Sequence, residues 1–438
     1  MFTANLQKIL AALLVTAAFT APAAIIGTNH PALPLTLERL AALPAAQQPA
    51  WRDYLDRSAK QKLADQKFLH DEMKAAGLNE SKLAPHAKDF SGLPLTKSND
   101  WYALPEARRL ANIIVSFQTP AGGWSKRLDL TKFSRTPGQH FAPDNTSRFL
   151  TNAVADNDAP HDVHWSYVGT FDNDATTTQL RFLAKVIAAT KAEREEKLGA
   201  SFARGLDYIL AAQMPHGGWP QSWPLDGGYH DAITFNDGAM IHLLEFLRDV
   251  RDGQSEFSFV APALREKAAA SLQKGIACVL ATQITDHGQR TVWCQQHDAL
   301  TLAPCAARNY EMPSACGAES AGILLFLLKI PAPDTNVVAA VDAAAAWLTK
   351  AKLPPDTLAT VGKETKRAVE PKGDGSLWAR YYELGSTRPI FGDRDLSIHD
   401  NVSEISAERR KGYSWFNDHP KRVLAEYERW TKRRAKQK

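Results

Sequence analysis

From Trp101 onward, apolar residues recur at three- and four-residue spacing, interrupted by polar stretches rich in Gly and Pro. A period of 3.6 residues predicts amphipathic helices, here over 105–117, 175–189, 197–212, 238–251, 263–281, 319–329 and 336–349. An earlier helix-like run extends from Trp51 to Leu78, and 84–100 carries the Pro and Ser signals of a loop. We read 25–100 as an N-terminal helical extension and 101–415 as the main domain. Ahead of both, Lys8 precedes an apolar run from Ile9 to Phe19, and Ala21-Pro22-Ala23 supplies small residues for cleavage. That arrangement reads as an export signal over residues 1–24, so a secreted or periplasmic protein is expected. The run is too short for a membrane span of ~20 residues.

The polar stretches contain an internal repeat. Gln118-Thr119-Pro120-Ala121-Gly122-Gly123-Trp124 returns as Gln213-Met214-Pro215-His216-Gly217-Gly218-Trp219, and Gln283 with Trp293 forms a degenerate third copy. Each copy follows a helix ending in Gln. Asp172-Asn173-Asp174, Asn236-Asp237-Gly238 and Glu319-Ser320 then open the next helices. Helix pairs joined this way three times fit an all-α fold, an (α/α)3 toroid whose inner helices bring their N-termini to one rim. Acidic residues there are good N-caps, each contributing ~1 kcal/mol, and need no chemistry to explain them. Crowded on one rim, however, Asp172, Asn173 and Asp237 are also hard oxygen ligands suited to Ca²⁺.

Composition narrows the class without choosing among chemistries. The chain has 438 residues, 44% hydrophobic and 23% charged, which fits a soluble globular protein and excludes collagenous, disordered and disulfide-scaffold classes. Net charge is +4, but Arg409–Lys438 holds 11 Lys/Arg against 3 Asp/Glu, leaving the rest slightly acidic. The basic tail, 416–438, is either a solvated helix or a device for retention on a polyanion. The body has no nucleic-acid-binding character, no membrane partner is implied, and nothing requires more than a monomer. Cys278, Cys294, Cys305 and Cys316 form no C-x-x-C, and after export one or two disulfides among them are expected. The nucleophile elbow, P-loop, dinucleotide fingerprint and H-E-x-x-H motifs are all missing.

Arginines beside aromatics form a second candidate group: Arg308-Asn309-Tyr310-Glu311, Trp378-Ala379-Arg380, Arg388-Pro389-Ile390-Phe391 and Gly392-Asp393-Arg394. Guanidinium forks bind carboxylates bidentately, and aromatic faces stack on sugar rings, so an extended acidic ligand is implied. Each Arg taken singly is equally a surface ion-pair partner. His297-Asp298, in the loop-like stretch between Cys294 and Cys316, suggests a base, but sequence neighbours point apart and local hydrogen bonding is the better explanation.

The ordered motifs resemble the family-10 polysaccharide lyases, pectate lyases with an (α/α)3 toroid. The resemblance runs from Ser116-Phe117-Gln118 and Gly122-Gly123-Trp124, through Thr170-Phe171-Asp172-Asn173, Gly217-Gly218-Trp219-Pro220-Gln221, Ile233-Thr234-Phe235-Asn236-Asp237-Gly238 and Trp293-Cys294-Gln295-Gln296-His297-Asp298. It continues over Ala306-Ala307-Arg308-Asn309-Tyr310-Glu311, Trp378-Ala379-Arg380-Tyr381-Tyr382, Arg388-Pro389-Ile390-Phe391 and Arg409-Arg410-Lys411-Gly412-Tyr413, covering roughly residues 100–415. It implies cleavage of polygalacturonate, an acidic polysaccharide, by β-elimination to a 4,5-unsaturated uronide. It also implies Arg308 as the base at C5, Asp172, Asn173 and Asp237 as Ca²⁺ ligands, and Arg380 and Arg394 as grips on substrate carboxylates. An arginine base, with an ordinary pKa of ~12.5–13.8, requires neighbouring cations to favour its neutral form.

Three departures from the family pattern stand out. Asp174 replaces the usual Gly, adding charge near the expected metal; Ser125 replaces the usual Pro; and Cys305 and Cys316 flank the Arg308 loop, where a disulfide would stiffen it. Two competing readings remain at this stage. One is a toroid glycoside hydrolase with Asp172 and Asp237 as acid and base; the other is a non-catalytic binder of acidic oligosaccharide. Terpene cyclases share Gln, Gly and Trp repeats but need an aspartate cluster not evident here.

Overall fold

The computed structural model describes residues 25–87, 93–146, 158–159, 162, 164–190, 196–354, 357 and 376–436. The expected export signal over 1–24 lies outside them. Among the described residues nine long helices carry the fold: α1 (Gln48–Ala75), α2 (Pro105–Ser116), α3 (Thr177–Thr190), α4 (Glu196–Ala212), α5 (Ala239–Asp252), α6 (Pro262–Ala281), α7 (Gly317–Leu327), α8 (Thr335–Lys350) and α9 (His419–Ala435). Helices α2–α8 match the periodic segments to within two residues at either end. Local chemistry sets those ends. Proline opens α2 and α6, where its missing N–H costs nothing. The Asp334 side chain caps α8 by accepting from Val337 N.

Inner and outer helices alternate. Helix α3 packs on α5, α5 on α7 and α7 on α9, while α2, α4, α6, α8 and α9 form the neighbouring series outside. Helix α7 reads Gly-Ala-Glu-Ser-Ala-Gly-Ile-Leu-Leu-Phe-Leu and buries most of its circumference, leaving only the stripe of Ala318, Gly322 and Leu325 less covered, the pattern of a helix largely enclosed by others.

The repeat residues lock this arrangement. Gln118 Nε2 donates to Gly122 O (2.8 Å) and to Ser201 O of α4 (2.9 Å). Gln213 repeats the pair with Gly217 O and Ser271 O, and Gln283 with Thr291 O and Ala340 O, so the degenerate third copy is structurally equivalent. Each glutamine ties the end of one outer helix to the next. The tryptophans work alongside them. The indole N–H groups of Trp124, Trp219 and Trp293 donate to Ile114 O, Ile209 O and Val279 O at 2.7–2.8 Å, satisfying carbonyls that a helix C-terminus leaves open. Trp378 does the same for Leu348 O of α8, making a fourth copy that the repeat search missed. The glycines are dictated by close approach: Gly122 (φ 110°) and Gly217 (φ 102°) lie where a Cβ would collide with the Arg204 and Lys274 carbonyls.

Residues 25–100 join the same core. Trp51 and Tyr54 of α1 belong to it, and Tyr54 Oη donates to Ala212 O at the end of α4 (3.0 Å). The segment begins with a strand, Ile25–Thr28, that pairs antiparallel with Ser397–His399, which pairs in turn with Phe391–Gly392. Helix α9, most of the basic tail, is anchored by buried Val423 and Trp430. Among the described residues no helix is long and apolar enough to cross a membrane.

Candidate active site

The rim is built by a stitching pattern. Each inner helix is preceded by a turn held between two successive Trp-x-Lys/Gln/Arg segments: Trp124-Ser125-Lys126, Trp219-Pro220-Gln221, Trp293-Cys294-Gln295 and Trp378-Ala379-Arg380. The tryptophan carbonyl of one segment accepts from the turn, at Thr170 N, Thr234 N and Cys316 N for the first three; the third-position carbonyl of the next accepts from Phe171 N, Phe235 N and Gly317 N. This brings the side chains of Lys126, Gln221, Gln295 and Arg380 to the same rim as the turn residues.

The turns themselves are near copies. Asn173 (φ 52°) and Asp237 (φ 50°) both occupy the left-handed region, which Asn and Asp tolerate better than most residues. The turns Asp172–Asp174 and Asn236–Gly238 pack on each other, and the second packs on α7, which carries Glu319. Asp172, Asn173 and Asp237 thus converge as the sequence implied. Asp172 is buried, its Oδ2 2.6 Å from Lys126 Nζ. Burial opposes its ionisation, but Lys126 first, then Gln221 and Arg308, hold its pKa below the ordinary carboxylate value. Its other oxygen, Oδ1, is buried without a hydrogen-bond partner. Asp237 is open to solvent on one side; the protein packed round it and then the Asp172 carboxylate raise its pKa, with Arg380 pulling the other way. Asp174 turns its charge away from this pair, onto His242 of α5. Burial would lower the His242 pKa, and the Asp174 carboxylate outweighs it.

Arg308 lies beside a carboxylate. Its Nε donates to Glu311 Oε2 at 2.8 Å and its Nη2 to Glu311 Oε1, a bidentate pair. Tyr413 Oη adds a 2.6 Å bond to Glu311 Oε1. Burial would raise the Glu311 pKa, but Arg308 brings it down to about 2. Conversely, burial disfavours the Arg308 charge, yet Glu311 and Tyr310 hold its pKa well above the ordinary guanidinium value. The sequence reading called for cations that would neutralise Arg308. The structure places an anion on it instead.

Arg380 donates from Nη2 to Glu319 Oε1 (2.7 Å) and Asn236 Oδ1 (3.0 Å). Tyr413 lies between the two arginines, its ring centroid 5.8 Å from Arg308 Cζ and 4.7 Å from Arg380 Cζ. Arg394 is paired with Glu408 at 3.1 Å and lies 5.3 Å from the centroid of the Tyr310 ring, which Arg308 also approaches, to 5.0 Å. His297 is wholly buried, its Nδ1 2.8 Å from Leu302 O and its Nε2 accepting from Cys294 N, and burial takes its pKa down to about 4. It is a loop anchor, as expected.

The expected disulfides are not formed: all four cysteines are free. Cys305 bonds through its N–H to Gln296 O, whereas Cys316 lies in the strand paired with Tyr381–Tyr382. Cys316 meets Cys294 rather than Cys305, thiol against thiol. The Arg308 loop is stiffened instead by Asn29, whose Nδ2 donates to Arg308 O (3.1 Å) and Asn309 O (2.8 Å). Sequence reasoning gave no role to Lys126, Glu311, Tyr413 or Asn29. The recurring Trp-x-Lys/Gln/Arg spacing would have singled out Lys126.

An all-α scaffold of alternating inner and outer helices, with carboxylates and arginines gathered on the rim of the inner ones, defines an α/α toroid. Residues 118–424 match the pectic acid lyase family, and the chain belongs to it. It is similar to the family 10 polysaccharide lyase from Cellvibrio cellulosa, with 28% identity and a TM-score of 0.60, covering 76% of this chain and 94% of that one. It is also similar to an aspartate-to-alanine mutant of the family 10 polysaccharide lyase from that organism in complex with trigalacturonic acid, with 28% identity, a TM-score of 0.59, and coverage of 77% and 98%. No curated protein matches the chain. The protein is a pectate lyase, a polysaccharide lyase acting on pectate.

Proposed function

We propose that this lyase cleaves polygalacturonate by Ca²⁺-assisted β-elimination, with Asp172, Asn173 and Asp237 holding the cation, Arg308 as the base, and Arg380 and Arg394 as carboxylate grips. The observation that carries the reading is the meeting of the two left-handed turns with Arg308 and Arg380 on one rim. The galacturonate ligand of the Cellvibrio relative supports the substrate class. The donor chemistry fits Ca²⁺: three hard oxygen side chains, one with a buried, unpartnered oxygen, and two carboxylates whose mutual repulsion a cation relieves. Among the described residues no three His, Cys, Asp or Glu side chains form a metal cluster, so the Asn173 amide, substrate and water complete the set.

The C5 hydrogen is α to a carboxylate, and its removal places charge on the carboxylate oxygens. A bound divalent cation supplies Lewis-acid stabilisation of that charge. Arg380, fixed by Glu319 and Asn236, presents its guanidinium toward the same region and adds preorganised positive charge. Arg308 abstracts the C5 proton only as the neutral guanidine. Because Glu311 keeps it protonated, the reading requires activity that rises with pH into the alkaline range. The electron pair forms the C4–C5 double bond as the O4 glycosidic bond breaks.

The test is ultraviolet absorbance of polygalacturonate with enzyme at alkaline pH, with Ca²⁺ or chelator, alongside Arg308→Ala. A Ca²⁺-dependent rise abolished by both chelator and substitution is expected. A chelator-insensitive rise overturns the calcium role, and a rise that survives Arg308→Ala overturns the base assignment. Reducing ends released without absorbance would mean hydrolysis.

The export expected from residues 1–24 completes the proposal: the enzyme meets pectate outside the cytoplasm. Cell fractionation with residues 1–24 present and deleted tests it.

A further inference from the structure

Three cations on the rim each hold a carboxylate partner. Lys126 pairs with Asp172, Arg308 with Glu311 and Arg380 with Glu319, while among the described residues Asp237 makes no ion pair and has only the Asn236 amide beside it (3.1 Å). Lys126 differs from the other two cations in one respect: its partner is an expected metal ligand. Its side chain is 10% exposed, its Nζ is 2.6 Å from Asp172 Oδ2, and the same Nζ sits 3.3 Å from the centroid of the Tyr167 ring. Tyr167 is itself fixed, with its hydroxyl 2.8 Å from His230 Nε2. The ammonium is therefore held against the carboxylate by a rigid wall.

The fold shows what this position needs for its shape alone. Gln221 and Gln295 stand at the equivalent place in the second and third Trp-x-Lys/Gln/Arg segments and Arg380 in the fourth, so the position accepts a neutral amide as well as a cation. Charge at 126 is thus an addition to the scaffold requirement. A cation reaching the unpartnered Oδ1 of Asp172 meets a carboxylate whose charge Lys126 already balances at Oδ2, and two positive charges held so close repel.

We propose that Lys126 is the resident counter-ion of Asp172, exchanged for the divalent cation and so setting how weakly the cation binds before substrate arrives. The inference rests on the calcium-assisted reading. Exchange leaves the ammonium next to the bound cation with no carboxylate of its own, positioned for a galacturonate carboxylate. Lys126 is in this sense a positioning residue that couples cation entry to substrate entry.

The experiment is calorimetric titration of Ca²⁺ into the full chain without substrate, comparing wild type, Lys126→Gln and Lys126→Arg, each checked for native helical content. Lys126→Gln is expected to bind Ca²⁺ at least about tenfold more tightly, because a buried carboxylate without its partner favours any incoming cation. Lys126→Arg, which keeps the charge, stays near wild type. Equal or weaker Ca²⁺ binding by Lys126→Gln overturns the inference and assigns Lys126 a structural role, leaving the calcium reading intact. No Ca²⁺ binding by any of the three proteins overturns both. Should Lys126→Gln fail to fold, Lys126→Met removes the same charge and is read in the same way.

Discussion

Replacing Glu311 by Gln separates the two things its carboxylate does. Its pKa falls from an ordinary 4.5 to about 2 in the folded protein, which at ~1.4 kcal/mol per pH unit corresponds to about 3 kcal/mol favouring the charged form. Breaking a buried ion pair by removing one partner costs a similar ~3–5 kcal/mol. Glu311→Gln is therefore expected to lose about 3 kcal/mol in urea unfolding at pH 7. The sign with pH follows from a depressed pKa. The wild-type advantage is fully present above about pH 4.5 and is lost as pH falls through about 2. The catalytic consequence runs the other way. Glu311 holds the proton on Arg308, so its removal makes the neutral guanidine accessible at lower pH, and the rising limb of kcat/KM moves toward acid. Two results would refute the reasoning. A loss under about 1 kcal/mol would mean the pair is no anchor. An unmoved limb in a folded, less stable variant would mean Arg308 is not the base.

Other expectations follow from single contacts. Trp219→Phe leaves the Ile209 carbonyl of α4 buried without its donor, and calorimetric melting should show a loss of about 1–3 kcal/mol. Thiol titration in denaturant without reductant should count four thiols, since all four cysteines are free; two or none would mean oxidation. Reversing the exposed Lys432, Arg433 and Lys436 to Glu should weaken retention on a polygalacturonate column while leaving Tm within a few degrees, because the helix is anchored by Val423 and Trp430, with Arg434 stacked on Trp430, rather than by these residues. Retention equal to wild type would reduce the basic helix to a solvated face.

Much of the architecture was readable because it repeats. Gln118 and Gln213 make the same two bonds in successive copies, so the same short word recurs wherever one helix must be tied to the next. The turns Asp172–Asp174 and Asn236–Gly238 were legible the same way, as matching positions ahead of α3 and α5. Trp378 escaped because its nearest equivalent, Trp293, lies in the most degenerate copy, and with it went the series that marks Lys126. The Arg308 environment was misjudged for another reason. Whether Glu311 faces Arg308 depends on turn geometry within a non-periodic loop, where spacing carries no direction. Cysteine spacing likewise could not show that Cys316 meets Cys294 and not Cys305.

The strand at Ile25–Thr28 has a bearing on order of assembly. It pairs with Ser397–His399, and Asn29 directly after it holds the carbonyls of Arg308 and Asn309. The first described residues of the chain are therefore fastened to a partner that a ribosome delivers among the last. Helices α3 and α4, and likewise α5 and α6, are neighbours in sequence that pack on each other and can do so as they emerge. The strap across the Arg308 loop cannot close until Ser397–His399 has been made. Compaction and competence are thereby separated in time: a growing chain can look folded by its helices while the Arg308 loop is still unset, and what sets it is contact between segments about 370 residues apart.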